Sequence, residues 1–251
     1  DGRKGWMIGV RRRPQSGRRG AFPLWRRTMT RSDRQGAGQA LPMSVKIEPF
    51  GLDGMLTRPR PGCGIVIFAH GSGSGRLSPR NEAVAVGLRE RGLGTLLFDL
   101  LSPVEACDRA NIFDIDLLAH RLILATEWLL RQERSAGLPV GYFGASTGAA
   151  AALVAETAHP DTVKAVVCRG GRPDLASPAL GKVRAPTLLI VGSLDREVIA
   201  LNRSALAAMD CEKDLAVVEG AGHLFEEPGT MDRVVELAAK WFLPRLRGSR
   251  A

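Results

Sequence analysis

Four short stretches of this sequence carry residue types that act on acyl bonds. The first is Gly141-Tyr142-Phe143-Gly144-Ala145-Ser146-Thr147-Gly148. An apolar run from Leu138 to Phe143 ends in Gly-x-Ser-x-Gly and passes into Ala149–Val154, a strong helix former. That is the strand–turn–helix setting of a nucleophile elbow. An elbow forces its central residue into a strained backbone geometry that only small neighbours tolerate, and Gly144 and Gly148 supply the room. A serine hydroxyl needs an adjacent base to take its proton. His223, in Gly220-Ala221-Gly222-His223, is expected to be that base. Asp195, at the end of Leu189–Asp195, is expected to hold the imidazole tautomer and stabilise the imidazolium. Charge on a tetrahedral intermediate needs donors. The amide of Thr147 is expected to be one, and the amide of Ser72, in His70-Gly71-Ser72-Gly73, the second.

Each residue also has a plainer reading. Asp195 could serve only as a helix cap. Asp99 ends a strand too, but it precedes Ser146, and the order nucleophile–acid–base favours Asp195. His70 is expected to shape its loop, and His120 and His159 to be structural. The run Gly71-Ser72-Gly73-Ser74-Gly75, between strand and helix, would also suit a phosphate. It lacks the Gly-Lys-[Ser/Thr] ending of a P-loop and the full G-x-G-x-x-G spacing. Arg169 and Arg172 follow a strand and are candidate substrate-binding residues, able to fork a carboxylate or phosphate. Pairing with Asp174, Glu226 or Glu227 is the equal alternative. Arg80 and Asn81, at a helix start, are expected to pack or cap.

The elements that must position these residues alternate. Val45–Glu48 and Met55–Arg58 read as an antiparallel hairpin. Gly64–Ala69 is a continuous apolar run, the signature of a strand buried on both faces. Strands at Thr95–Phe98, Val140–Phe143, Ala165–Cys168, Thr187–Val191 and Leu215–Val218 follow. Helices are expected at Pro79–Arg91, Asp114–Arg134, after Ser146, from Asp195 to about Met209, and at Thr230–Phe242. The pattern predicts an α/β fold, a mostly parallel eight-stranded sheet with helices on both faces. Ser146, Asp195 and His223 all fall just after strands and so share one rim. About 16 residues, Arg169 to Arg184, separate the sixth and seventh strands, too few for a large lid there.

Charge divides the chain unevenly. Residues 1–42 hold 11 Lys+Arg and 2 Asp+Glu, and the remaining residues hold 24 of each sign. The neutral body argues against a nucleic-acid surface on the folded domain. Residues 1–42 lack apolar periodicity and read as a disordered basic leader. Met43, just before the first strand, would suit a natural start. The domain is expected over 43–246, with 247–251 a short tail. An arm that binds nucleic acid through residues 1–42 is a further possible reading. Cys63, Cys107, Cys168 and Cys211 form no C-x-x-C pair, so neither a zinc site nor a disulfide framework is indicated, and a reducing cytoplasmic setting fits. No apolar stretch approaches the roughly 18 residues of a membrane span.

From about Ser44 to Leu243 the chain resembles the α/β-hydrolase superfamily, in particular its dienelactone hydrolase-like branch. The matching pieces are Phe68-Ala69-His70-Gly71, Gly141–Gly148, Leu189–Asp195 and Gly220–His223. The resemblance implies a Ser146/Asp195/His223 hydrolase without metal or organic cofactor. It would cleave a carboxylic ester, lactone or related acyl bond of a small soluble molecule through an acyl-enzyme. Dienelactone hydrolases proper use a cysteine nucleophile where this chain has Ser146, so a lactone substrate is not carried over. Fold alone does not grant function, and a catalytically silent binding protein is the alternative.

Overall fold

Unbroken apolar runs form the middle of an eight-stranded sheet in the computed structural model, which describes residues 40–247. The leader and tail read from the sequence lie outside the described residues, apart from positions 40–42 and Arg247. In chain order the elements are β1 Met43–Ile47, β2 Leu52–Thr57, β3 Ile65–Ala69, α1 Pro79–Glu90, β4 Gly94–Phe98, α2 Arg109–Phe113, α3 Ile115–Arg131, β5 Val140–Ala145, α4 Thr147–Glu156, β6 Val163–Arg169, β7 Thr187–Gly192, α5 Arg196–Ala208, β8 Lys213–Val218 and α6 Thr230–Arg245.

The strand order is β1-β2-β4-β3-β5-β6-β7-β8. β2 runs antiparallel to β1 and to β4, and every later pair is parallel. From β3 the chain moves outward to β4, then returns past β3 to β5. The connections after β3 and β5 therefore diverge and leave a crevice between their carboxyl ends, where ligands of open α/β sheets bind. Ser72 follows β3 and Ser146 follows β5, so both flank this crevice.

Two apolar layers cover the sheet. Phe68, Phe143 and Ile190 pack under α1 and α6 with Leu88, Val234 and Phe242. Ile67, Tyr142 and Cys168 pack on the other face with Leu122 of α3 and Leu153 of α4. The buried Tyr142 hydroxyl lies 2.7 Å from Thr126 Oγ1, so its polar end is satisfied inside that layer.

Two segments differ from the sequence reading. The connection after β4 contains α2, a helix too short to show a 3.6-residue period. The segment after β6 winds as 3-10 turns over Pro173–Lys182 and packs against α4 and α5.

Helix α4 lies tight against β3 because its first turn is small. A Cβ on Gly148 would sit 2.2 Å from the Ala69 carbonyl oxygen and 2.5 Å from that of His70. Gly148→Ala must therefore push α4 off the strand end. Overpacking of this kind costs about 1–3 kcal/mol, so thermal melts of the variant are expected to show a Tm lower by roughly 3–10 °C. An unchanged Tm would mean that the β3 end yields freely.

Candidate active site

Ser146 occupies the turn between β5 and α4 with φ 51° and ψ −121°, in the positive-φ half of the map that side chains resist. Among the described residues, Ser146 and Phe225 are the two non-glycine residues with positive φ. Such strain persists only where surrounding structure over-determines it. Around Ser146, its amide donates to the Arg169 carbonyl at 3.3 Å and its carbonyl accepts from Arg172 N at 3.1 Å. Gly71 fits against it so closely that a Cβ there would meet Ser146 Cβ at 2.8 Å.

Asp195 and His223 come together from the ends of β7 and β8. His223 Nδ1 lies 2.6 Å from Asp195 Oδ2. Asp195 stands at the N-cap position of α5, yet its side chain caps no helix amide, so its carboxylate is given to the histidine. A proton on Nδ1 facing the carboxylate leaves Nε2 as the free lone pair. The His223 ring passes over Gly170, with Cε1 3.6 Å from where a Cβ of that residue would lie. Gly170 follows Arg169, which pairs in register with Ala145, so the imidazole lies on the strand next to the one that carries Ser146. Among the described residues, neither the Ser146 hydroxyl nor His223 Nε2 has a protein hydrogen-bond partner. Loose contacts of this kind are common without substrate and tighten when it binds.

The loop after β3 is held by His70. Leu100 N donates to His70 Nε2 at 3.0 Å, so Nδ1 carries the proton and donates to the Gly71 carbonyl at 3.1 Å. Burial holds the His70 pKa below its ordinary value, with the Gly71 contact opposing. His70 thus shapes the loop as expected, in its neutral form. Asp99, the other strand-end carboxylate, accepts from Arg76 N at 2.7 Å and pairs with the Arg76 guanidinium.

The loop amides differ from expectation. Ser72 N donates to the Thr147 hydroxyl at 3.0 Å, so the amide assigned to an oxyanion already points at a side chain. An N–H has one proton, and that proton is directed along this contact. Ser74 N donates to Gly71 O at 3.2 Å and Ser78 N to Gly75 O at 3.0 Å. Within Gly71–Gly75 the Ser72 and Ser74 amides are thus engaged, and Asp99 Oδ1 lies 2.8 Å from where a Cβ of Gly75 would be, a carboxylate beside the run that disfavours a phosphate cradle.

The two arginines part company. Arg172 forks Asp174, with contacts of 2.8, 2.9 and 3.2 Å, so the expected pairing alternative accounts for it. Arg169 is 6 % exposed and faces no carboxylate. Its Nε and one terminal nitrogen have no partner, and the other reaches Asn81 Oδ1 at 3.5 Å. Burial, with Arg80 nearby, pushes its pKa down to about 10. Arg80 itself pairs with Glu226 at 3.1 Å. A buried charge without a partner is costly.

Beside Thr147 and Ser72 opens a cavity of about 290 Å³, walled by Leu101, Ile112 and Leu118 as well as His70. The connection after β4 supplies this apolar wall, which sequence reading missed because α2 has too few residues for a periodic signal. Among the described residues no group of three His, Cys, Asp or Glu side chains is placed to hold a metal ion. Cys168 is fully buried and its thiol is pushed up to about 12 by burial, so it is not an alternative nucleophile.

The fold recurs in solved structures. The dienelactone hydrolase from Anabaena variabilis is 52% identical, with a TM-score of 0.80 over 84% of this chain and 100% of that one. Est1E from Butyrivibrio proteoclasticus, 15% identical, superposes with a TM-score of 0.69 over 82% of this chain and 99% of that one. Carboxyl esterase 2 from Tuber melanosporum, 17% identical, gives 0.62 over 85% and 90%. Two Mycobacterium tuberculosis proteins, from different strains and described as candidate phosphoribosyl transferases, are 58% identical over 206 residues. That match covers 82% of this chain and 46% of theirs, so the chain spans about half the length of the curated relatives it matches. No family model matches the chain.

The His70 tautomer makes the loop acid-sensitive. The unfolded chain takes up a proton near pH 6.5, whereas the folded site resists one because Nε2 would turn from acceptor to donor against Leu100 N. The unfolded state then binds more protons, so stability falls as pH drops below about 6.5. Melts between pH 7.5 and 5 are expected to show a steeper loss for the wild type than for His70→Asn. Parallel curves would remove His70 from the pH dependence.

Proposed function

The chain belongs to the dienelactone hydrolase-like branch of the α/β-hydrolases, and from that premise we propose that it is a serine-dependent hydrolase. It cleaves a carboxylic ester, lactone or related acyl bond of a small molecule through an acyl-enzyme. The observation that carries this reading is the Asp195–His223 contact of 2.6 Å formed at the same rim as the strained Ser146. In the first step Ser146 Oγ attacks the carbonyl carbon while His223 Nε2 takes the hydroxyl proton, and Asp195 stabilises the imidazolium. Collapse of the tetrahedral intermediate returns that proton to the departing alkoxide and leaves an ester on Ser146. Water, deprotonated by His223, then releases the acid and restores the serine.

Substrate recognition is assigned to Arg169, the buried guanidinium without a carboxylate partner, which suits an anionic group on the substrate. Arg172 is left to Asp174. Leu194 and Leu224, 64% and 42% exposed, adjoin Asp195 and His223 and support an apolar portion next to the scissile bond. The free cysteines Cys63, Cys107, Cys168 and Cys211 support a reducing, cytoplasmic setting. No helix among the described residues is long and apolar enough to cross a membrane.

A short-chain nitrophenyl ester is expected to give a burst of nitrophenol, and a fluorophosphonate to label Ser146. Ser146→Ala should remove both, and Asp195→Asn should lower kcat by roughly 10⁴-fold through the wrong histidine tautomer. A folded protein with neither labelling nor turnover would instead be a binding member of the family. Phosphoribosyl transfer, the activity in the name of the M. tuberculosis relatives, is checked by release of pyrophosphate from a phosphoribosyl donor. Arg169→Met separates recognition from stability. Removing a buried, unpaired charge is expected to leave Tm unchanged or higher, while kcat/KM falls about 10- to 100-fold for carboxylate-bearing esters relative to neutral ones, as loss of a charge-assisted contact implies. An equal loss on both substrates would remove the anion-binding role.

A further inference from the structure

We propose that the Thr147 hydroxyl is itself an oxyanion donor, held in place by the Ser72 amide. This role exists only if Ser146 is the nucleophile. The Thr147 oxygen accepts from Ser72 N at 3.0 Å, which fixes the rotamer and occupies one lone pair. Its proton has no acceptor among the described residues.

Thr95 likewise only accepts, from Arg89 at 3.3 Å, but it lies within β4 away from the crevice, whereas four other threonines are satisfied as donors. Thr126, Thr157, Thr187 and Thr230 each give their hydroxyl proton to a backbone carbonyl at 2.7–2.9 Å. In helices such carbonyls lie three or four residues back. Thr147 is the first residue of α4, and the residues before it turn away through the elbow into β5. Thr147 is 4% exposed and borders the 290 Å³ cavity beside the Gly71–Ser72 loop. A nearly buried hydroxyl with its oxygen occupied and its proton free is aimed at an acceptor that arrives with the substrate.

The chemistry suits the place. The Thr147 amide is at the amino end of α4, where helix amides are unpaired and favour negative charge. The hydroxyl oxygen is three bonds from that nitrogen on the same residue. An N–H donated to its oxygen polarises the O–H and makes it a better donor. Two donors from one residue would then face the oxyanion as it forms, with the Ser72 amide acting through the hydroxyl. No proton changes hands in this contact, and the hydroxyl remains a hydrogen-bond donor throughout.

Thr147→Val keeps the side-chain shape and the backbone amide but removes the donor. It is expected to lower kcat on a nitrophenyl ester by about 10²- to 10³-fold, the loss for one oxyanion donor, with KM little changed. Thr147→Ser is expected to recover most of that loss. Affinity for a trifluoromethyl ketone, which adds to the serine as a tetrahedral oxyanion, should fall in parallel with kcat in the valine variant. Affinity for the acid product should not. An active wild type with the valine variant within about threefold of it, or faster, would overturn the role and make the hydroxyl a plug over the Ser72 amide. Absence of turnover and of fluorophosphonate labelling in the wild type would overturn the nucleophile assignment, and this role with it.

Discussion

The backbone of Ser146 is held at φ 51°, and most of the architecture around the crevice serves to keep it there. A residue with a side chain resists that conformation by about 1–3 kcal/mol. The compensation is contact from three sides. Gly71 closes from the β3 loop, Gly148 lets α4 approach Ala69, and Arg169 and Arg172 bond the Ser146 peptide on either side. Fully buried strands β3 and β5 give the turn a rigid base.

The same geometry decides which charges meet. Parallel strands deliver Asp195 and His223 to one rim, and an Asp that would ordinarily cap α5 is diverted to the imidazole. Arg76 takes Asp99, Arg80 takes Glu226 and Arg172 takes Asp174, so these three arginines are matched with acids. Arg169 is the exception, a buried guanidinium with Arg80 as its charged neighbour. Its position under the Phe225 ring, 5.9 Å from the centroid, keeps it dry and makes its missing counter-ion matter.

What was readable in the sequence is what local pattern encodes. Apolar runs gave the strands to within a few residues, the glycines around Ser146 marked the turn, and the order of Ser146, Asp195 and His223 placed them at strand ends. The loop-shaping role of His70 also followed from its place after the strand, whereas its neutral form rests on the Leu100 amide. What was not readable depends on distant side chains. Nothing local says that the Ser72 amide, 75 positions from Thr147, bonds its hydroxyl. Likewise, the sequence left Arg169 and Arg172 equivalent, because the choice between them rests on which one is near Asp174 and which is buried. Helix α2 escaped notice since a five-residue helix carries no period, although it walls the cavity.

The central claim is that Ser146 becomes covalently acylated, with His223 as the base in both formation and release of the acyl-enzyme. Intact-mass and peptide mass spectrometry of the wild type, acid-quenched during turnover of an activated ester, tests this most directly. The account predicts an adduct equal to the acyl group, located on the peptide containing Ser146, and none on Ser146→Ala. Ester cleavage with no adduct at any quench time, or an adduct on another residue, would contradict it.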